Sequence, residues 1–327
     1  MPQNSRQKGW WLWSKNPVAL MLWPISLLFC LLVLIRIQLY RWQFLKSEKI
    51  SVPVIVVGNI SLGGNGKTPF VVSLVQLLQQ RGFQPGILTR GYKSDHEQET
   101  TILSQSATSD RAGDEANMLS ELCGCPLGIG ANRVKSASTL IQQFPQIDML
   151  VMDDGLQHYA LQRDIEIIVQ REQSYGNGFC IPAGPLREPR SRLQQVDLVV
   201  DRDGSELSEQ FGFCWNLNHP EQQCELADFK DQNVNALAGI GFPELFFGAL
   251  RQQGLNLVSS RSFSDHETFT LQDIMTFNQA PLLVTHKDAV KLRSFATDNI
   301  WVVPLELTLS DDLQYQLLSL LESKLDG

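Results

Sequence analysis

The sequence has no low-complexity tract and no self-similarity at solenoid spacing. That excludes a largely disordered chain and a repeat array. Cysteine is scarce: six in 327 residues, at Cys30, Cys123, Cys125, Cys180, Cys214 and Cys224. They are too few and too scattered for a disulfide scaffold. Cys123-Gly124-Cys125 lacks the two-residue spacer of common zinc knuckles, and no second pair follows, so all six read as free thiols of a reducing compartment. Also missing is any basic stripe or aromatic-rich basic module, which removes nucleic acid from the expected partners. What remains is a chain 43% hydrophobic, long enough for one large or two modest domains with a real core.

Charge is unevenly spread. Residues 1–50 hold seven Lys or Arg and one acid, Glu48, whereas the rest holds 20 basic and 34 acidic residues. A basic leader on an acidic body suits a chain that meets anionic headgroups at one end. Within that leader, Val18 to Ile35 runs 18 residues without a charge. At about 1.5 Å per residue the run approaches the thickness of a hydrocarbon core. Trp10, Trp11 and Trp13 precede it, and Tyr40 and Trp42 follow, as interfacial anchors do. A cleaved signal peptide is disfavoured by the length of the run and by the lack of a small-residue cleavage site after Ile35. A buried core helix is the other rival. The mixed cationic and apolar stretch Arg36 to Lys46 is expected along the headgroups, and Pro24 leaves open a kinked, partly inserted helix.

Val52 to Gly58 is a β-branched run with the look of a buried parallel strand. Ser61-Leu62-Gly63-Gly64-Asn65-Gly66-Lys67-Thr68 follows, and then Pro69 opens an apolar helix through Leu78. Strand, glycine-rich loop and helix in that order are the context of a Walker A loop. Its backbone N–H groups close on phosphate oxygens at a helix N-terminus. Lys67 is expected at the β/γ-phosphates and the Thr68 hydroxyl on Mg2+. One position departs from the pattern, with Ser61 where the first glycine belongs. An early second lysine, frequent in partitioning ATPases, is replaced by Leu62. The GTPase signature Asn/Thr-Lys-x-Asp is also absent, since Lys287 and Asp288 are adjacent in Thr285-His286-Lys287-Asp288. ATP is therefore favoured over GTP.

Ile147 to Asp153 reads as an apolar strand ending in two carboxylates, Asp153 and Asp154, the layout of a Walker B acid at the sheet's carboxyl edge. Asp114 and Glu115 open a helical stretch, where acids are often mere caps. Arg90-Gly91-Tyr92 follows the strand-like Gly86 to Thr89. Pro182-Ala183-Gly184-Pro185-Leu186-Arg187-Glu188 is rigid and charged, unlike core. Taken singly, each of these last three is more often structural than catalytic.

Their order carries more. GNISLGGNGKTP, TRGY, GDE, NR, DDGLQH, GNGFCIPAGPLRE, SDHETF and THKDAVK, in sequence, closely resemble the tetraacyldisaccharide 4'-kinase family, inner-membrane enzymes of lipid A synthesis. The resemblance implies transfer of the ATP γ-phosphoryl group to the 4'-hydroxyl of a tetraacylated glucosamine disaccharide 1-phosphate, making lipid IVA. It further implies Asp114 as the base, with His266 beside it. Glu115, Asp153 and Asp154 would arrange the metal with Thr68. Tyr92, Arg133, Gln157, Arg187 and Glu188 would bind the acceptor. A membrane-bound ATPase switch that phosphorylates nothing small is the competing class.

The expected fold is α/β and P-loop NTPase-like. Residues 1–49 form a membrane-anchoring segment, 50–235 a kinase domain with a largely parallel sheet, and 236–327 a smaller α/β domain. Strands are expected at Ala236 to Ile240, Pro281 to Thr285 and Ile300 to Leu307, while Asp201 to Asn233 is too polar to assign. The expected partners are the lipid A precursor and, through the N-terminal helix, membrane lipids. No protein partner is expected. Flanking charges do not orient the helix, but an ATP site puts the body at the cytoplasmic face of the bacterial inner membrane.

Overall fold

The computed structural model describes residues 14–63, 66–91, 99–105, 112–240, 243–263, 269–277, 280–295 and 297–325. The chain opens with α1 (Pro17–Arg41), capped by the Asn16 side chain and running unbroken through Pro24. Next come β1 (Val54–Gly58), α2 (Lys67–Gln80), β2 (Pro85–Thr89), β3 (Thr101–Leu103), α3 (Asp114–Cys123), β4 (Leu127–Ile129), α4 (Arg133–Gln143), β5 (Met149–Asp153), β6 (Ile165–Gln170) and β7 (Leu198–Asp201). These seven strands form one sheet in the order β3-β4-β2-β5-β1-β6-β7, parallel except for β3 against β4.

Alternation within β1 shows why a β-branched run was needed. Ile55 and Val57 face a core with Phe70, Leu74 and Leu78 of α2, whereas Val54 and Val56 face Leu140 of α4 and Leu161. Burial on both faces leaves no polar position, the pattern of a central parallel strand. Phe29 and Cys30 of α1 pack on the second of these cores. Helix α1 is fastened there by Ser26 Oγ donating to the Cys180 carbonyl (2.7 Å), by Trp23 against Phe179 (6.4 Å between centroids) and by Tyr40 against Tyr159 (5.8 Å). Its other face is bare: Leu20, Met21, Leu27, Leu28, Leu31 and Ile35 are exposed.

A second sheet is built from β9 (Cys214–Asn216), β10 (Gln223–Cys224), β11 (Asn233–Ala238), β12 (Asn256–Ser262), β13 (Leu282–Thr285) and β14 (Ile300–Val303), in the order β10-β9-β14-β13-β11-β12. Helices α5 (Pro243–Gln252), α6 (Leu271–Met275) and α7 (His286–Leu292) accompany it. An antiparallel ribbon of β8 (Leu207–Phe211) and β15 (Leu305–Leu309) packs on the first core, and α8 (Asp311–Leu325) follows β15.

Two expectations need correction. The single strand expected from Ile300 to Leu307 is two, β14 and β15, separated by Pro304, which has no N–H to give a ladder. The division at residue 235 does not follow the sheets. The second sheet already includes β9 and β10, and residues 305–325 return to the first core, where Leu307, Leu309, Leu313, Leu317 and Leu321 are buried with Ile55 and Ile167. Strands of two or three residues have no period to read, and a returning helix is a long-range contact that local pattern cannot carry.

Candidate active site

The glycine-rich loop joins the carboxyl end of β1 to α2. Gly63 (φ 102°) and Gly66 (φ 73°) hold backbone that side-chain-bearing residues rarely adopt. Gly64 and Asn65 lie outside the described residues. Proline at position 69 falls in the first turn of α2, where its missing N–H removes no helical bond. The Pro182–Glu188 string packs alongside: Leu62 N donates to the Pro185 carbonyl (2.8 Å), Arg187 N to the Ile60 carbonyl (2.7 Å), and Ser61 bridges Leu186. A Cβ on Gly184 would overlap the Phe179 carbonyl, so only glycine lets this string fold so tightly.

At the start of α2, Thr68 Oγ1 lies 3.0 Å from Glu115 Oε1 and 3.1 Å from Asp153 Oδ2. Asp153 ends β5 and is buried, with Oδ1 unpartnered. Burial and then the Glu115 charge raise its pKa to about 7, with Lys67 opposing. A hydroxyl, two crowded carboxylates and an orphaned buried oxygen are a donor set for a hard divalent cation. Among the described residues no three acidic, imidazole or thiol groups form a complete cage. The set suits Mg2+ that draws its other ligands from phosphate and water.

Asp154 (φ 49°) turns the other way. Its carboxylate lies 3.4 Å from Lys67 Nζ and 3.3 Å from Arg187 Nη1. Burial pushes its pKa up, but the two cations outweigh burial and hold the carboxyl below its ordinary value. Arg187 Nη1 also reaches Gln157 Oε1 (3.4 Å), and Gln157 Nε2 donates to Glu188 (2.8 Å) and to the Asn59 carbonyl (3.1 Å). Glu188 is 1% exposed and is further held by Tyr159 Oη (3.0 Å) and Arg192 Nε (3.2 Å). Arg192 in turn grips both oxygens of Glu166 (2.6 and 2.7 Å). One connected network thus runs from Lys67 to Glu166.

Asp114 and Glu115 begin α3 behind Gly113 (φ 80°), both half-buried. Arg133 is buried at the start of α4, donating to the Gly130 and Ala131 carbonyls. Its charge is felt at His158: burial, then Arg133, Arg163, Arg36 and Arg90, lower the imidazole pKa to about 4. Tyr92 and His266 lie outside the described residues. Sequence reading passed over Tyr159, Glu166 and Arg192. It also gave no role to Asn59, whose buried amide has no side-chain partner, or to His158. Asn59 and His158 stand inside the quoted strings, a signal that was there to use. Glu166 and Arg192 meet across 26 positions and leave no local trace.

Three comparisons bear on identity. The profile described as "Tetraacyldisaccharide-1-P 4'-kinase" matches residues 18–322. A tetraacyldisaccharide 4'-kinase of Actinobacillus pleuropneumoniae is 43% identical over 308 residues, covering 91% of this chain and 94% of that protein. Another, from Idiomarina loihiensis, is 39% identical over 328 residues and 98% of each chain. The crystal structure of LpxK from Aquifex aeolicus in complex with ATP superposes with a TM-score of 0.78 at 28% identity, over 93% of this chain and 99% of that one. With a P-loop whose Lys67 and Thr68 meet the carboxylates of β5 and α3, and with relatives matched along nearly its whole length, the chain belongs to the tetraacyldisaccharide-1-P 4'-kinase family.

Proposed function

We propose that this protein transfers the γ-phosphoryl group of ATP to the 4'-hydroxyl of tetraacyldisaccharide 1-phosphate, forming lipid IVA at the cytoplasmic face of the bacterial inner membrane. One observation carries the reading: the phosphate loop and the exposed apolar helix α1 reach the same site. Tyr40, near the end of α1, packs on Tyr159, two residues beyond Gln157, which contacts Arg187 beside Lys67 and Asp154. Arg36 of α1, with Arg90, Arg133 and Arg163, makes that face strongly positive around His158, as an acceptor bearing a phosphate requires.

Lys67 and Arg187 supply cations to the γ-phosphoryl oxygens as charge spreads over them. Thr68, Asp153 and Glu115 would hold Mg2+, which neutralises phosphate charge when bound. Asp114 takes the proton of the 4'-hydroxyl while that oxygen bonds to phosphorus and the bond to ADP breaks; His266 is proposed beside it. Gln157 and Arg187 meet the acceptor, and Tyr92 and Arg133 complete its site. Glu188 acts through Gln157, which it orients from below. Helix α1 is held to the body at Ser26, Tyr40 and Arg41. It therefore inserts its outward leucines with the body attached, and does not cross as a free span.

Incubation with γ-labelled ATP and the disaccharide 1-phosphate tests the reading. Label should pass to the lipid, and Lys67→Ala should reduce transfer by roughly 10²–10³-fold or more while the protein stays folded. Label released only as inorganic phosphate would favour the ATPase switch, and a Lys67→Ala enzyme with near-native turnover would remove the phosphate loop from the chemistry.

A further inference from the structure

Arg202 directly follows β7 at the edge of the sheet where the phosphate loop opens. It is 5% exposed, yet only one of its three nitrogens has a partner. Nη2 pairs with Glu209 of β8, while Nε and Nη1 are buried without one. The guanidinium lies against the phosphate loop: a Cβ on Gly66 would overlap Nε and stand 3.1 Å from Cδ and Cζ. Burial works against the charge, Glu209 supports it and Arg171 opposes it again. Arg171 is itself committed to Asp203 (3.0 Å) and Glu209 (3.5 Å). Two unmade hydrogen bonds on a buried cation are costly, and an anion is their natural acceptor.

The sheet order says which part of the nucleotide that anion belongs to. Strands β1, β6 and β7 are parallel, so their carboxyl ends share an edge. Asp153 and Asp154, with Lys67 turned toward Asp154, lie on the β5 side of β1. Arg202 lies on the opposite side, two strands away. A γ-phosphoryl group held by Lys67 would face β5, and the rest of a nucleotide on the loop would extend toward β6 and β7.

We propose that Arg202 is a nucleotide-binding residue whose Nε and Nη1 donate to the α- and β-phosphate oxygens of ATP, while Glu209 holds Nη2 and so aims the other two. This rests on the phosphate-loop reading above, but not on the identity of the acceptor. Calorimetric titration with Mg·ADP, which lacks the transferable group, keeps the two apart. If wild type binds ADP but labels no lipid, the acceptor reading falls and this one stands.

Arg202→Met should weaken ADP binding by about 10–100-fold, the range of a charged hydrogen bond. Arg202→Lys should lose less, because an ammonium keeps the charge without the fork. Glu209→Gln still accepts from Nη2 but no longer neutralises it, so ADP should bind tighter than to wild type. ADP affinity within about twofold of wild type in Arg202→Met overturns the proposal. So does a Glu209→Gln protein weakened as much as Arg202→Met, which would mark the pair as a structural tie. Should Arg202→Met not fold, the other two decide, and unchanged affinity in both overturns it.

Discussion

At the scale of the residue, the site is a collection of charges held against their preference. Asp153 has its pKa raised from 3.8 to about 7 by burial and by Glu115. A carboxyl that binds its proton more tightly when folded contributes stability below about pH 4, and that contribution is lost as pH rises to about 7. Asp153→Asn should therefore stabilise the nucleotide-free protein at pH 7.5. With about 2–4 °C per kcal/mol for a chain of this size, thermal scans should show a rise of several degrees that shrinks toward pH 5, while activity is lost. A lower Tm at pH 7.5 would contradict the strain assigned to Asp153. Arg192 is the opposite case, with Glu166 and Glu188 both dependent on it. Arg192→Met leaves buried Glu188 and partly buried Glu166 each short of one partner and should cost about 3–5 kcal/mol in denaturant unfolding. Ordinary stability in that variant would mean the network is replaceable by packing. Residues of the first kind were legible in sequence because backbone spacing places them: Lys67, Thr68, Asp153 and Asp154 follow from strand, loop and helix. The supporting pairs were not, since Glu166 and Arg192 become neighbours only when β6 and the segment before β7 are side by side.

At the scale of the element, α1 has two faces with different tasks. Ala19, Ser26 and Ile37 are buried on the body, and Leu28 and Leu31 are exposed by more than half. A leucine taken out of water is worth about 1.5–3 kcal/mol. Leu28→Asp with Leu31→Asp should therefore weaken vesicle binding by at least about 10²-fold, leaving ADP affinity and Tm nearly unchanged. Ile37→Asp should instead lower Tm, because Ile37 is buried against the protein. If the double variant still floats fully with vesicles, another surface anchors the chain. The apolar run announced such a helix in sequence. Composition alone could not say that one stripe of it is already occupied, because residues as plain as Ala19 and Ser26 make the contact. Parallel strands were equally legible from their β-branched runs, whereas β9 and β10, at three and two residues, offered nothing to read.

At the scale of the molecule, the chain leaves the first sheet through β8 and returns through β15, so one ribbon carries both crossings. The ribbon is fastened to the phosphate-loop helix by Ser73 Oγ, which donates to the Leu307 carbonyl. A second bond between the halves joins α3, whose N-terminus carries Asp114 and Glu115, to the region of α7. There Glu121 pairs with Arg293 (2.7 Å) and lies 3.6 Å from His286. The last helix then commits the C-terminus to the half that binds nucleotide. Leu317 and Leu321 of α8 meet Ile55 of β1, Leu74 of α2, and Ile165 and Ile167 of β6. Leu317→Ala should cost about 2–5 kcal/mol, the range for a buried leucine whose cavity only partly collapses. Hydrogen exchange identifies where the loss falls. Amides of β1 and β6 should exchange faster in the variant, while those of β11 and β13, in the other core, should keep their native protection. ADP binding should restore part of the lost stability, because the phosphate loop lies in the first half and a ligand binds only the folded state. Were β11 and β13 to lose protection instead, α8 would belong to the second half after all, and the chain's return through β15 would not be what closes the first core.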